Sequence, residues 1–405
     1  MSEKQGKNAL IFSVAYFPLA GGAEAAIKEI TDRIAGDYNF HLITNRFSRH
    51  LKKQEKIGKV LVYRVGFPYN QSHKTARHFS NFCYIGFAFF KAIRLNFRFR
   101  YDVIWPVMAA YAGAAGLFFK IIFPRKKLLL TLQEGDAPDY ILSRVSKIRY
   151  PIWKTLFKKA DRIQAISGFL KDFAIGQGAD ASKITIVPNG ADLEKIQIPI
   201  RQLADKSQTN DKIQSLKRKL GIKEGEKVII TTSRLVKKNA IDIIIDAFNL
   251  LNSKFQIPNS KFLIVGDGPG RETLKLQITN YKLQNKIFLT GSVPPNEVYD
   301  YLAISDIFVR PSRSEGLGSS FLEAMAMGVP IIGTQVGGIP DFLIDRQTGL
   351  FCEVDNPEDL AKKIEILLKD EDLRRYLIKN ARQLVEEKYD WNIISRKMEE
   401  ILNHL

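Results

Sequence analysis

Two glutamates, Glu315 and Glu323, stand with seven residues between them in RPSRSEGLGSSFLEAMAMGVP, directly after the apolar run Ile307 to Val309. Gly316 and Gly318 give a flexible loop that opens a helix near Ser319, so unpaired backbone N–H groups at that helix start offer a phosphate site. Glu323 then falls about one turn inside the helix. A carboxylate there can accept hydrogen bonds from ribose hydroxyls, and Glu315 on the loop can hold the hydroxyls of a sugar beyond a diphosphate. Either glutamate taken alone also fits as a helix cap.

Other residues could join them. Arg234 follows the run Val228 to Thr232, where its fork can bind diphosphate oxygens and stabilise charge on a leaving nucleotide. Gly21 and Gly22 sit between an apolar run and a helical stretch, where backbone can approach an anion or simply turn tightly. GDGPGR at 266 to 271 fails the dinucleotide fingerprint, because Arg271 stands where the last glycine belongs. Asp370 to Asp372 lies between two helical stretches and reads as capping. Cys83 and Cys352 are the two cysteines, far apart and without His or Cys at metal-ligand spacing, so neither a zinc site nor a disulfide framework is expected.

Positioning these groups needs a scaffold. At 405 residues the chain exceeds a single core. Apolar runs rich in Val, Ile and Leu alternate with helix-length segments in two series, the form of parallel sheets covered on both faces. The first series runs Ala9 to Val14, Phe40 to Thr44, Val60 to Val65, Val103 to Val107, Leu128 to Leu132, Arg162 to Ile166 and Ile184 to Val187. The second runs Val228 to Thr232, Phe262 to Val265, Ile287 to Thr290, Ile307 to Val309 and Pro330 to Gly333. A polar stretch from Pro188 to Asp211 separates them as a linker. The expected fold is α/β, two Rossmann-like doubly wound parallel-sheet domains with an interdomain cleft, 1–200 and 201–388. The tail helix, 389–405, is expected to pack back on the first domain. Ligands in such sheets sit outside the carboxyl ends of strands.

The stretch around Glu315 and Glu323 resembles the signature of glycosyltransferase family 4, retaining enzymes of the GT-B fold. GGAE (21–24), AISGFLKD (165–172), VPNGAD (187–192), SRLVKKNAIDIIIDAF, FLIVGDGPGRETL, and VGGIPDFL with TGLF match the family's blocks in order. The resemblance implies an acceptor on the first domain, 1–200, and a nucleotide-sugar on the second, 201–388, where Glu315 contacts the donor sugar and Glu323 the ribose. It also implies donor contacts from Gly316, Leu317, Gly318, Ser319 and Ser320, with Gly266 and Val293 lining the base pocket. Two departures stand out. Asn239 holds the position of the family's lysine, leaving Lys238 as the candidate phosphate ligand one residue earlier. Glu134, before Gly135, stands where many members have histidine, and an ionised carboxylate cannot donate. Its alternatives are to orient an acceptor hydroxyl or the donor sugar, or to mark a different substrate, with Asp136 as competitor.

Net charge is +18, and residues 1–200 carry 31 Lys and Arg against 15 Asp and Glu. Such asymmetry points to an anionic partner of the first half. No zinc-finger spacing, basic-zipper pattern or RNP motif supports nucleic acid, so an anionic membrane surface is expected. FCYIGFAFFKAIRLNFRFRYD (82–102) and SKIRYPIWKTLFKKADR (146–162) mix aromatics with Lys and Arg, as a membrane interface requires; a core helix with a basic outer face is the alternative. The 17 uncharged residues Val103 to Phe119 are interrupted by Pro106 and Gly113 and read as strand plus helix, not a span. Met1 onward shows no secretory signal. The expectation is therefore a retaining, metal-independent hexosyltransferase with no cofactor beyond its nucleotide-sugar substrate. It would use a UDP- or GDP-sugar donor and a glycan or lipid-linked acceptor, in the cytoplasm and peripheral on the inner face of the membrane. A nucleotide-sugar epimerase and a non-catalytic sugar- or membrane-binding protein are the rivals, while Arg271 disfavours a dehydrogenase.

Overall fold

Runs such as ALIF and LLLTL have no polar alternation, so both faces of their strands need cover, and a parallel sheet between helix layers supplies it. In the computed structural model, residues 6–19, 21–68, 74–136, 149–196, 211–255 and 259–405 are described. The chain divides into two α/β units. Met1–Glu134, Pro138–Asn189 and Trp391–Leu405 make the first, and Gly135–Ala137 with Gly190–Asp390 the second.

The first unit holds β1 (Lys7–Phe12), β2 (Tyr38–Asn45), β3 (Gln54–Ile57), β4 (Val60–Val65), β5 (Val103–Pro106), β6 (Lys127–Leu132), β7 (Arg162–Ala165) and β8 (Ile184–Ile186). Their order is β3-β4-β2-β1-β5-β6-β7-β8. All pair in parallel except β3 with β4. The helices are α1 (Gly22–Arg33), α2 (Lys74–Phe99), α3 (Tyr111–Ile122), α4 (Arg149–Lys159) and α5 (Gly168–Gly176). Leu10, Ile11 and Phe12 are fully buried at the sheet centre. A buried polar chain aligns the neighbouring strands: Trp105 Nε1 donates to Thr131 Oγ1 (2.8 Å), Thr131 Oγ1 to Gln164 Oε1 (2.6 Å), and Gln164 Nε2 to the Val187 carbonyl (2.8 Å). The strand order reverses between β1 and β5, which puts a crevice at their carboxyl ends.

The second unit holds β9 (Lys227–Thr232), β10 (Ser260–Val265), β11 (Ile287–Gly291), β12 (Ile307–Arg310), β13 (Ile331–Thr334) and β14 (Leu350–Cys352), in the all-parallel order β11-β10-β9-β12-β13-β14. Its helices are α6 (Asp211–Lys219), α7 (Ile241–Ser253), α8 (Arg271–Asn280), α9 (Val298–Ala303), α10 (Ser319–Ala326), α11 (Pro357–Lys369) and α12 (Glu371–Lys388). Here the order reverses between β9 and β12. Asp370 caps α12, its carboxylate accepting from Leu373 N at 2.8 Å.

The last helix, α13 (Trp391–Asn403), belongs to the first unit. Trp391, Ile394, Met398, Ile401 and Leu402 share a core with Ala26, Ile27 and Ile30 of α1. The divisions fall after Asn189 and Asp390, not after the expected 200 and 388. Ala191 N donates to the Tyr389 carbonyl at 2.8 Å, which ties the start of the expected linker to the second unit; residues 197–210 of that linker lie outside the described ones. Two strands were not expected. β3 (QEKI) is an edge strand with alternately exposed and half-buried side chains, and β14 has three residues, so neither carries an apolar run long enough to read.

Candidate functional site

The loops that leave β9 and β12, the two strands flanking the second unit's reversal, bring together side chains 71 residues apart in sequence. Arg310 ends β12, and its guanidinium is the centre of the cluster. It forms an ion pair with Glu315, donates to Ser320 Oγ at 2.7 Å through one terminal nitrogen, and reaches Asn239 Oδ1 at 3.3 Å through the other. Glu315 is buried and Arg310 is mostly so, with side-chain exposures of 10% and 11%. Asn239 Nδ2 donates to Ser233 Oγ (2.7 Å) and to the Arg234 carbonyl (2.8 Å), so its oxygen is turned towards Arg310.

The backbone around Glu315 is closely confined. Glu315 Oε1 accepts from Gly316 N (3.1 Å), and the Glu315 carbonyl accepts from Gly338 N (3.1 Å). Gly337 has φ of +54°, and a Cβ there would stand 1.8 Å from the Glu315 carbonyl oxygen, so only glycine lets the two segments meet. Arg313 fastens the loop to the start of α7 by donating to both Asp242 oxygens (3.1 and 2.7 Å). Leu317 is buried, and Gly318, at the N-cap of α10, has no side chain with which to cap it.

Glu323 lies on α10 beneath this loop. Desolvation pushes its carboxyl up to about 7, opposed by the nearby Arg310 charge. The folded chain therefore keeps a proton on Glu323 between about pH 4.3 and 7, where the unfolded chain has lost it. Its contribution to stability falls as pH rises through that window and is level above it. We expect wild type to lose up to roughly 3 kcal/mol of stability relative to Glu323→Gln between pH 5 and pH 8, read from urea titrations at the two pH values. A difference that does not change with pH would place the carboxyl in ordinary solvent.

The remaining expected residues are distributed as follows. Arg234 is exposed at the end of β9, and no described side chain or carbonyl pairs with its guanidinium. Lys238 lies at the edge of the cluster: its Nζ donates to the carbonyl of Gly135 (2.7 Å), a residue that also accepts from Ser314 Oγ (3.1 Å), and it pairs with Asp136 (3.3 Å). It therefore does not extend into the place of Asn239. Gly266 passes over Ser233, where a Cβ would stand 2.0 Å from the Ser233 carbonyl, and it is bonded to Gly291, two residues before the half-buried Val293.

Gly21, Gly22 and Glu134 belong to the first unit. Gly21 N donates to the Glu24 carboxylate at 2.7 Å, so an outside anion would compete there with the chain's own acid. Glu134 is turned into the backbone, accepting from Ala109 N (2.7 Å) and Gln133 N (3.0 Å). It braces the loop that precedes α3.

Arg310 and the structural role of Gly337 were missed in the sequence reading. The signal for Arg310 was available: a lone charge closing the apolar strand IFV, five residues before a glutamate. Gly337 gave no such signal, because its contact is made by a segment distant in sequence.

Two family models match in turn, Glycosyltransferase Family 4 over residues 20–195 and Glycosyl transferases group 1 over 212–384. An uncharacterized glycosyltransferase of Methanocaldococcus jannaschii is 26% identical over 98% of both chains. The alpha-monoglucosyldiacylglycerol synthase of Streptococcus pneumoniae is 24% identical over 91% of this chain and 80% of its own length. Among solved structures, sucrose-phosphate synthase from Thermosynechococcus elongatus superposes with a TM-score of 0.81 at 18% identity, covering 98% of each chain. Anabaena HepE in complex with UDP-glucose does so with a TM-score of 0.76 at 20% identity, over 98% of this chain and all of its own. These structural likenesses carry the fold.

Proposed function

We propose, since the chain belongs to the family 4 type of glycosyltransferases, that it moves a hexosyl unit from a UDP- or GDP-sugar to a hydroxyl of a glycan or lipid-linked acceptor, with retention at the anomeric carbon. The observation that carries this reading is the meeting of Glu315, Ser320, Asn239 and Arg310 beside Arg234, whose guanidinium has no partner among the described residues, at the second unit's strand reversal. There Arg234 and the start of α10 supply positive potential for a diphosphate, Glu315 faces the sugar hydroxyls, and Glu323 the ribose. In the reaction the acceptor oxygen bonds to the anomeric carbon as the bond to the diphosphate oxygen breaks. The acceptor proton passes to the departing phosphate, so no protein nucleophile is needed and no resident metal is invoked. The name of the HepE complex supports UDP-glucose as a donor to try first, and that of the pneumococcal relative supports a lipid acceptor.

The acceptor side falls to the first unit, and a membrane surface on the inner face of the bilayer suits it. Among the described residues no helix is long and apolar enough to cross a membrane. Yet α2, with five basic and no acidic side chains, exposes Phe79 (69%), Phe82 (58%), Phe90 (71%) and Phe97 (77%). Water-exposed phenylalanines at helical spacing beside arginines suit anionic headgroups. The second expected segment contributes less: Trp153, Leu156 and Phe157 of α4 are buried, and its residues 146–148 lie outside the described ones.

A thermal-shift screen of UDP-, GDP- and ADP-sugars tests the donor. A ligand bound by the folded state alone at 100 times its Kd stabilises by about 2.7 kcal/mol, and no shift with any of them would remove the reading. Flotation with phosphatidylglycerol vesicles tests the surface: Phe79→Ser/Phe90→Ser/Phe97→Ser is expected to reduce bound protein at least about tenfold. Unchanged flotation would detach α2 from the membrane.

A further inference from the structure

The Glu315 carboxylate stands beside the place assigned to an anionic diphosphate, and it would repel that anion unless a cation pairs with it. Lys238 is held by Gly135 and Asp136, and Asn239 is neutral. Among the described residues, the cation within hydrogen-bond reach of Asn239, Glu315 and Ser320 is Arg310. Its Nε is buried and without a partner among the described residues, an orphan donor in an otherwise filled cluster. Its position also accounts for Asn239, which turns its amide oxygen to the guanidinium, as a lysine at 239 could not do without setting two cations side by side.

We propose that Arg310 is the positioning residue of the donor site: its guanidinium holds Glu315 towards the sugar and, beside Asn239, adds to the positive charge that Arg234 and the start of α10 offer the diphosphate. The inference rests on the donor-site reading above. It assigns to one buried arginine both the orientation of the acid and the selection of a diphosphate over a monophosphate. A role confined to folding would give the first without the second.

Calorimetric binding of UDP, GDP and ADP, and of the matching monophosphates, to wild type, Arg310→Met, and Arg310→Met/Asn239→Lys tests this. For the diphosphate that wild type binds, Arg310→Met is expected to weaken affinity about 10- to 100-fold, and the matching monophosphate by less than about threefold. Adding Asn239→Lys, which returns a charge from the other side of the contact, is expected to recover most of the loss. Equal losses of diphosphate and monophosphate, or no recovery in the double variant, would overturn the assignment and leave the donor site standing. Failure of wild type to bind any of the three diphosphates would overturn the donor-site reading and this inference with it. Should Arg310→Met fail to fold, Arg310→Lys keeps the charge on a shorter reach. It is then expected to preserve the preference for diphosphate, and loss of that preference would count against the proposal.

Discussion

Arg234→Ala is expected to lower turnover about 100- to 1,000-fold while leaving the melting temperature unchanged within error. The two halves of that expectation come from the same observation. Arg234 is exposed, and its guanidinium has no described partner in the protein, so truncation removes no internal contact. Its backbone does the structural work instead: the Arg234 carbonyl accepts from Asn239 Nδ2 and Val236 N, and alanine retains both bonds. A free guanidinium at the carboxyl end of a central strand, next to a strand reversal, is placed to meet charge that develops on a leaving diphosphate. Because such an interaction is stronger in the transition state than with the bound donor, the loss should fall on kcat more than on KM. Steady-state rates with the donor found in the thermal screen, read with a melt of both proteins, check it. Turnover within threefold of wild type would make Arg234 an ordinary surface residue.

What could be read from the sequence depended on how local the cause was. Apolar central runs such as ALIF and VII need cover on both faces wherever they sit, so β1, β2, β5, β9 and β12 follow from composition alone. The helix start at Ser319 was legible from an equally local cause, the glycines 316 and 318 before it, and the φ of +95° at Gly318 is one that glycine tolerates. Edge strand β3 was not legible, because its pairing with β4 is what makes QEKI extended. At the site, Glu315 and Glu323 were identified by spacing, but their electrostatic setting was not. Arg310 lies close in sequence to Glu315, whereas Asn239, which shares its guanidinium, comes from 71 residues away. Lys238 illustrates the limit most clearly. Proximity in sequence to the missing lysine suggested a substitute, while its side chain is directed to Gly135 and Asp136.

Glu315→Ala is expected to carry a large cost in stability as well as in catalysis, and the order of the two effects distinguishes the roles of the acid. The variant leaves the Arg310 guanidinium buried without its counter-ion, and breaking a buried pair from one side costs about 3–5 kcal/mol. For a unit of this size that corresponds to a fall in melting temperature on the order of 10 °C. Glu315→Gln keeps an oxygen for Gly316 N and for the Arg310 guanidinium, so it should recover part of the stability. It should not recover the sugar-directed function, because the amide lacks the charge that pairs with Arg310 and accepts strongly from hydroxyls. The decisive comparison is therefore made in Glu315→Gln, by titrating UDP and UDP-glucose in parallel. If Glu315 faces the sugar, affinity for the nucleotide sugar falls more than affinity for the nucleotide alone. Equal losses would mean that the acid acts through Arg310 on the diphosphate alone, and the sugar would then have to be held by other groups.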